Sequence, residues 1–536
     1  MKDMKLRSLA ISVLALGCSF VGAAQGYEGL RDFEYVKTVT PVLNLSNPAA
    51  LAGWDGRISQ ATARFDKADG ELISLTQSKD SYEVAAGTES FYRISDRIAF
   101  YGNIDWSYFN GKEMGGPILI DPEYNPVNFY ELDATTLGTK KTESYSLKGA
   151  LSYNFSDRWA AGFAVKFDGR DQTKLKDPRF LNYWTDLSFD LGLSFRPSES
   201  VLLGASAFYR NTLETVQGGI YGKTDQSYFF QIDRGGYFGT VAELVGSRAA
   251  LSPSEKRPMN NNLFGGALQV AVADRFFSEV TFTARDGYFG RKSSGSAVFY
   301  EFAGYEIRYD GAVLIPAENG THRIGLSAGY AYLFNNENTF EYVTPIGGVT
   351  QVEYTGKKFV MDRNILDGTL SYRWFSGGSA QRPDLTFGFD VTAYSKKQGS
   401  EIYPFYRKQD LVMLDADIFV KKDIRLGDKS LINVGLHGLY HNGYSKLSDG
   451  KYTEATSSVI RIFNNWAGPQ TEYETSARGG GMVSVEWIPI LDKAVTPYVR
   501  VSDSYMALSY MTLFHDPVYM KDKTRNVASV AVGIVF

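Results

Sequence analysis

The sequence predicts an all-β fold: a transmembrane, antiparallel outer-membrane β-barrel of about 18 strands (roughly 14 to 18), with short periplasmic turns and long extracellular loops. Three observations predict it. The chain opens with an export signal and has no apolar helix afterwards. Apolar and polar residues alternate through most of its length. The connections alternate between short turns and long polar segments.

The export signal comes first. Lys2, Lys5 and Arg7 precede an apolar run from Leu9 to Val21, which ends in Gly22-Ala23-Ala24. A charged start, a short apolar stretch and small residues at its end make a secretory signal peptide, here residues 1–24. The run is shorter than the roughly 20 residues of a membrane-spanning helix. Cys18, the one cysteine, lies inside it, so the mature chain would carry no disulfide or thiolate. The expected organisation is signal peptide 1–24, an N-terminal luminal or periplasmic segment 25–56, and a barrel over 57–536, placed in the cell outer membrane of a Gram-negative-type bacterium.

Composition agrees. The 536 residues include 35 Tyr, 35 Phe and 53 Gly, with a net charge of -4. That balance leaves no electrostatic footprint for nucleic acid. A mean hydropathy of -0.22 is too polar for a bundle of membrane helices. It suits a barrel, in which only alternate strand residues meet lipid.

Alternation defines the strands. In the last residues Ala528, Val530, Val532, Ile534 and Phe536 share one face, with mostly small residues on the other. A strand ending in an aromatic residue is similar to the C-terminal signal read by the barrel-assembly machinery, so Phe536 is the expected assembly signal. Hairpins repeat the pattern. Leu147, Leu151, Tyr153 and Phe155 lead through Ser156-Asp157-Arg158 to Trp159, Ala161, Phe163 and Val165. Leu187 to Phe195 turns at Pro197-Ser198-Glu199 into Val201 to Tyr209. Such turn residues suit tight hairpins. Each strand is expected to run roughly 10 to 13 residues, the span of a tilted membrane strand. The long segments 110–142, 212–261, 335–363 and 442–476 read as extracellular loops. Phe155, Trp159, Phe195, Phe276, Trp374 and Trp487 all flank short turns, where an aromatic girdle would meet the lipid headgroups.

The opposite strand face would line the lumen. It carries charges of both signs, without the bias of a strongly ion-selective pore. Arg373, Asp415, Asp417, His437 and His441 are the lumen-facing candidates. The two histidines sit roughly 13 Å apart along one strand, too far to share a metal ion unaided. No HExxH or GxSxG occurs. Neither a cofactor, a metal nor catalysis is expected.

Before the first strand, Asn47-Pro48-Ala49 resembles the N-terminal stretch of the long-chain fatty-acid transporter superfamily and its secretion-associated relatives in Bacteroidota. The resemblance implies that these three residues belong to a luminal hatch. The chain as a whole is similar to uncharacterised Bacteroidota outer-membrane barrel proteins, which implies fold and location but no substrate. The expected function is a channel or TonB-independent transporter for a small solute. An accessory or scaffold subunit of a cell-surface complex is the alternative, and a barrel enzyme a third reading. Expected partners are outer-membrane lipid, the assembly machinery, and surface lipoproteins or a small-molecule solute.

Overall fold

The computed structural model describes residues 29–132, 134–221, 227–244, 251, 256–293, 295–450, 460–462, 464–491, 495–509 and 517–536. The expected signal peptide, Cys18 and the start of the expected N-terminal segment lie outside the described residues.

The chain begins with helix α1 (Phe33–Val39) and two 3-10 turns, Pro41–Asn44 and Pro48–Gly53. The strands follow in chain order: β1 Arg57–Gly70, β2 Asp80–Ser95, β3 Ile98–Met114, β4 Asn128–Glu131, β5 Gly138–Asn154, β6 Trp159–Lys174, β7 Arg179–Ser198, β8 Val201–Gly219, β9 Phe229–Asp233, β10 Phe238–Glu243 and β11 Arg257–Val272. Then come β12 Phe276–Gly290, β13 Val298–Ala317, β14 Gly320–Val343, β15 Gln351–Ser376, β16 Leu385–Ile402, β17 Phe405–Leu426, β18 Ser430–Gly450, β19 Ile460–Ile462, β20 Arg478–Pro489, β21 Thr496–Leu508 and β22 Thr524–Val535. Helix α2 (Asn464–Thr475) lies between β19 and β20.

Eighteen strands close into one antiparallel barrel. Each pairs with the next in the chain, except that β8 pairs with β11, β3 with β5 and β18 with β20, bypassing the four short strands. The seam between β1 and β22 runs from Gln60↔Val535 to Gly70↔Arg525. Phe536 ends it: its N–H donates to Ser59 O (2.9 Å) and its carbonyl accepts from Ser59 N (2.8 Å). The turns at 96–97, 155–158, 199–200, 273–275 and 318–319 lie on the same side as that terminus, the periplasmic side. The connections 115–137, 220–256 and 451–477 lie on the other and carry the short strands and α2.

Period two positions the side chains. Leu147, Leu151, Phe163, Leu191 and Leu268 point out as an exposed apolar band, while their sequence neighbours Ser146, Ala150, Gly162 and Gly192 face inward. At the periplasmic edge Trp159 packs on Phe195 with ring centres 4.5 Å apart, and Arg57 lies 4.5 Å over Tyr92, as in an interfacial girdle.

Strand length departs from expectation. The strands outgrow the membrane, up to 24 residues in β14 and 26 in β15. The segment 335–363, read as a loop, is mostly the hairpin of these two strands, turning at 344–350. β14 pairs with β13 only as far as Glu337, and β15 with β16 only from Met361, so beyond them stands a two-stranded arm. Above the membrane both strand faces are wet. The apolar alternation therefore stops while the backbone ladder continues. For the same reason β3, β5, β8, β11 and β18 reach into the segments expected as loops.

An 18-strand barrel is too wide for its own side chains to fill. Two buried clusters close it. At the periplasmic end Phe33, Val36, Leu43 and Leu51 pack on Ile58, Phe91, Leu202, Phe277 and Ile488 of the wall. At the outer end Phe129, Phe230 and Leu244 pack on Phe289, Tyr300, Phe302 and Met361.

Candidate functional site

The N-terminal segment forms a plug, and Asn47-Pro48-Ala49 is its deepest anchor. Pro48 opens the second 3-10 turn, where its missing N–H costs nothing. Asn47 caps that turn by accepting from Ala49 N (2.8 Å). Its Nδ2 donates into the wall: to Leu193 O (3.0 Å), Ala205 O (3.2 Å) and Gln269 Oε1 (3.1 Å). Ser152 and Ser194 hydroxyls donate to Ala49 O (3.3 and 3.2 Å). The seat exists because the wall lacks side chains there. A Cβ on Gly162 would lie 2.3 Å from Ala49 N, and one on Gly192 1.9 Å from Asn47 Oδ1. Around this anchor Ser46 N donates to Glu279 (2.9 Å), Arg93 donates to Ala52 O (2.9 Å), and Lys37 pairs with Glu89 (2.8 Å).

The outer end is closed by a four-stranded sheet in the order β19-β10-β9-β4. Its anchor is Glu131, at the end of β4. The carboxylate pairs with Lys174 of β6 at 2.5 Å, both side chains almost wholly buried, and accepts from Thr136 Oγ1 (2.6 Å). The Glu131 carbonyl accepts from Trp466 Nε1 of α2 (2.6 Å). Arg234 reaches Glu337 (2.6 Å), Lys396 reaches Glu123 (3.2 Å), and Arg407 donates to Gly236 O (3.0 Å). Buried charges of this kind hold their positions because each has a partner. Asp233 closes the β9–β10 turn by accepting from Gly235 N (3.0 Å) and Phe238 N (2.9 Å). Burial pushes its carboxyl up to about 7 in spite of those two amides. Gly235 and Gly236 have φ of 113° and 64°, which the tight turn demands.

Between plug and cap the lumen keeps two polar cavities. One, of about 390 Å³, lies along β1, β2, β3, β5 and β6 and is lined by Thr62, Glu89, Asn103, Asp105, Ser146 and Asp168 among others. The second, of about 380 Å³, lies along β16 to β22 and includes Asp390, Asp415, Asp417, His441 and Arg478.

Of the five lumen-facing candidates, Asp415, Asp417 and His441 line this second cavity, while Arg373 on β15 and His437 on β18 lie outside its lining. His441 Nδ1 shares a hydrogen bond with Asp415 (2.7 Å) and its Nε2 one with Glu474 O (2.9 Å). His437 Nδ1 shares one with Asp417 (3.1 Å), and its ring stacks on Phe419 with centres 5.1 Å apart. Arg373 pairs with Asp390 (2.6 Å) and covers the Phe419 ring at 4.6 Å. Each histidine takes its own aspartate, so the two do not converge. Among the described residues no group of three or more His, Cys, Asp or Glu could hold a metal ion. The other wall, with Asn103, Asp105, Ser146 and Asp168, was not singled out from sequence. Strand parity placed those residues inward, but only the register brings them together.

Residues 48–536 match the family of unknown function DUF6850. The chain belongs to that family. The match starts at Pro48, so within DUF6850 the turn that seats the plug lies in the same matched region as the barrel. No protein of curated function matches the chain. Solved structures similar to it include the ferric preacinetobactin receptor BauA from Acinetobacter baumannii (8% identity, 90% of this chain and 80% of that one, TM-score 0.38). The ferric enterobactin receptor PfeA from Pseudomonas aeruginosa is another (6%, 89% and 81%, TM-score 0.37), and the RagAB peptide importer in its closed-closed state a third (8%, 89% and 75%, TM-score 0.34).

Proposed function

We propose that this protein is a gated outer-membrane transporter that admits a small polar solute without TonB. The N-terminal segment is its periplasmic gate. The observation that carries the reading is the glycine-lined seat: Gly162 and Gly192 keep the wall bare where Asn47 and Ala49 dock. Wall and plug are fitted to each other by close backbone approach and a few hydrogen bonds, a joint that can part without breaking the barrel ladder. The resemblance of Asn47-Pro48-Ala49 to the fatty-acid transporter hatch supports the same role. Polar cavities on both sides of the lumen supply a path once the gate moves. Purified protein in planar bilayers tests the reading. With the outer cap loosened by Lys174→Met, a chain that keeps 29–52 should be closed or flicker briefly, and one lacking 29–52 should conduct steadily. Equal silence from both refutes it.

A second reading, an accessory subunit of a surface complex, is favoured by one observation. The β14–β15 arm runs past the last paired residues of its neighbours β13 and β16 and exposes Ile346 and Val349 at its tip. Capture of a stoichiometric partner that is lost on trimming 340–354, with no flux through the barrel, would select it.

A further inference from the structure

The cavity on β1–β6 has a chemistry of its own. The register sets Asp105 opposite Ser146, and Ser146 opposite Asp168. Two carboxylates thus flank one hydroxyl across two strand spacings, about 9–10 Å. Neither carboxylate forms an ion pair among the described residues. Two arginines line the cavity and both are engaged elsewhere: Arg64 pairs with Asp66 and Glu83 (2.6 and 3.0 Å), and Arg170 lies 4.6 Å over the Trp184 ring. The nearby Arg210 is held bidentately by Asp186, and Lys166 pairs with Asp190 (3.5 Å). Lys148 stands beside Asn103 in register but is not part of the cavity lining. One row below the carboxylates, Asn103 is 8% exposed, and its Oδ1 accepts no hydrogen bond; the Ser146 hydroxyl is likewise buried and unpartnered. A buried acceptor without a donor is destabilising, and a bound donor recovers that loss. The wall therefore has acceptors to spare. At its floor, Glu89 already holds a primary ammonium: Lys37 of the plug, at 2.8 Å.

We infer that this wall is a binding site for a cationic amine, and that Lys37 occupies its lowest position while the plug is seated. The two ammonium groups of a diamine bond separately, one at Asp168 and the other at Asp105 with Asn103 Oδ1, from where it competes with Lys37 for Glu89. Occupancy thereby loosens the plug. The inference rests on reading the lumen as a solute path and gives that path a substrate class.

The test is equilibrium binding of 1,4-diaminobutane to the full chain in detergent at low salt, by calorimetry after overnight equilibration, with succinate as the anionic counterpart. It is run on the parent and on Gly162→Ala, in which the plug is displaced. Diaminobutane should bind and succinate should not. Asp105→Asn and Asp168→Asn should each weaken binding about tenfold, the scale of one charge-assisted hydrogen bond. Lys37→Gln should tighten it by freeing Glu89. Heat-modifiable gel mobility verifies that each variant is a folded barrel. Absence of diaminobutane binding in both parent and Gly162→Ala, equal binding of succinate, or folded aspartate variants that bind as the parent does would each overturn the inference. Binding without flux in liposomes would sink the transport reading alone; flux without amine binding would sink this one alone.

Discussion

Replacing Gly162 with alanine adds one methyl group to the inner face of β6 and leaves every residue of the plug itself unchanged. The barrel ladder tolerates alanine at a strand position, so its closure should survive. The plug cannot stay where it is. The new Cβ would lie 2.3 Å from Ala49 N and 2.4 Å from the Pro48 carbonyl carbon, both backbone atoms with no rotamer to retreat into. Relief requires the turn to move out by about 1 Å, which breaks the geometry of the Asn47 bonds to Leu193 and Ala205. Overpacking of this kind costs about 1–3 kcal/mol. At tenfold per 1.4 kcal/mol, the ratio of seated to unseated plug falls roughly 5- to 150-fold. Hydrogen exchange at the amides of Ala49, Ala50 and Trp54, bonded within the turn, should accelerate by that factor, while strand amides keep their protection. In a Lys174→Met background, where the outer cap is loosened, conductance in planar bilayers should rise in parallel. Asn47→Ala, which loses the same bonds from the other side, should give a similar change and add little in the double variant. A Gly162→Ala protein with parental exchange in the plug and parental silence would refute the seat as the point of closure.

Three further outcomes follow from the closed ends. Lys174→Met leaves Glu131 buried without its cation and should destabilise the cap by about 3–5 kcal/mol; the 115–137 segment then becomes cleavable by added protease, and Lys174→Met/Glu131→Leu should restore resistance. Asp233 has its carboxyl raised from 3.8 to about 7, so the folded cap binds a proton that the opened cap releases. Its stability contribution is therefore fully present below about pH 4, declines as pH rises toward 7 and is lost above that. Amide exchange in β9 and β10, corrected for intrinsic rate, should be faster at pH 8 than at pH 5, and Asp233→Asn should abolish the difference. Phe536→Ser should lower the fraction of heat-modifiable protein recovered from outer membranes, while Phe536→Trp keeps it; equal recovery would remove the terminal aromatic from the assembly signal.

The barrel was legible because lipid imposes a rule on every second residue. Leu147, Leu151 and Phe163 could be read one strand at a time, and the strand number followed from counting hairpins. The arm at 338–360 was not legible, since water on both faces imposes no such rule. Sequence also assigned His437, His441, Asp415 and Asp417 to the polar faces of two successive strands. It could not say that each histidine would take its own aspartate, because that depends on the register Asp415↔His441. The seat was the least visible part. Gly162 and Gly192 lie more than a hundred residues from Asn47, and each looks unremarkable singly. Their meaning appears only when the plug is folded back into the barrel. The cap was hidden for a similar reason: β4, β9 and β10 are short strands whose partners come from different loops.

The β14–β15 arm has a practical side. Below its turn the arm leans on the start of β13, where Tyr354 accepts from Val298 N (2.9 Å) and Phe340 packs edge-on against Phe299. The turn itself, 344–349, is exposed at the tip. A short peptide tag spliced between Gly347 and Gly348 would therefore be displayed like a flag on a mast. Antibody staining of intact cells would then count correctly oriented molecules one by one, leaving plug, cap and chamber undisturbed.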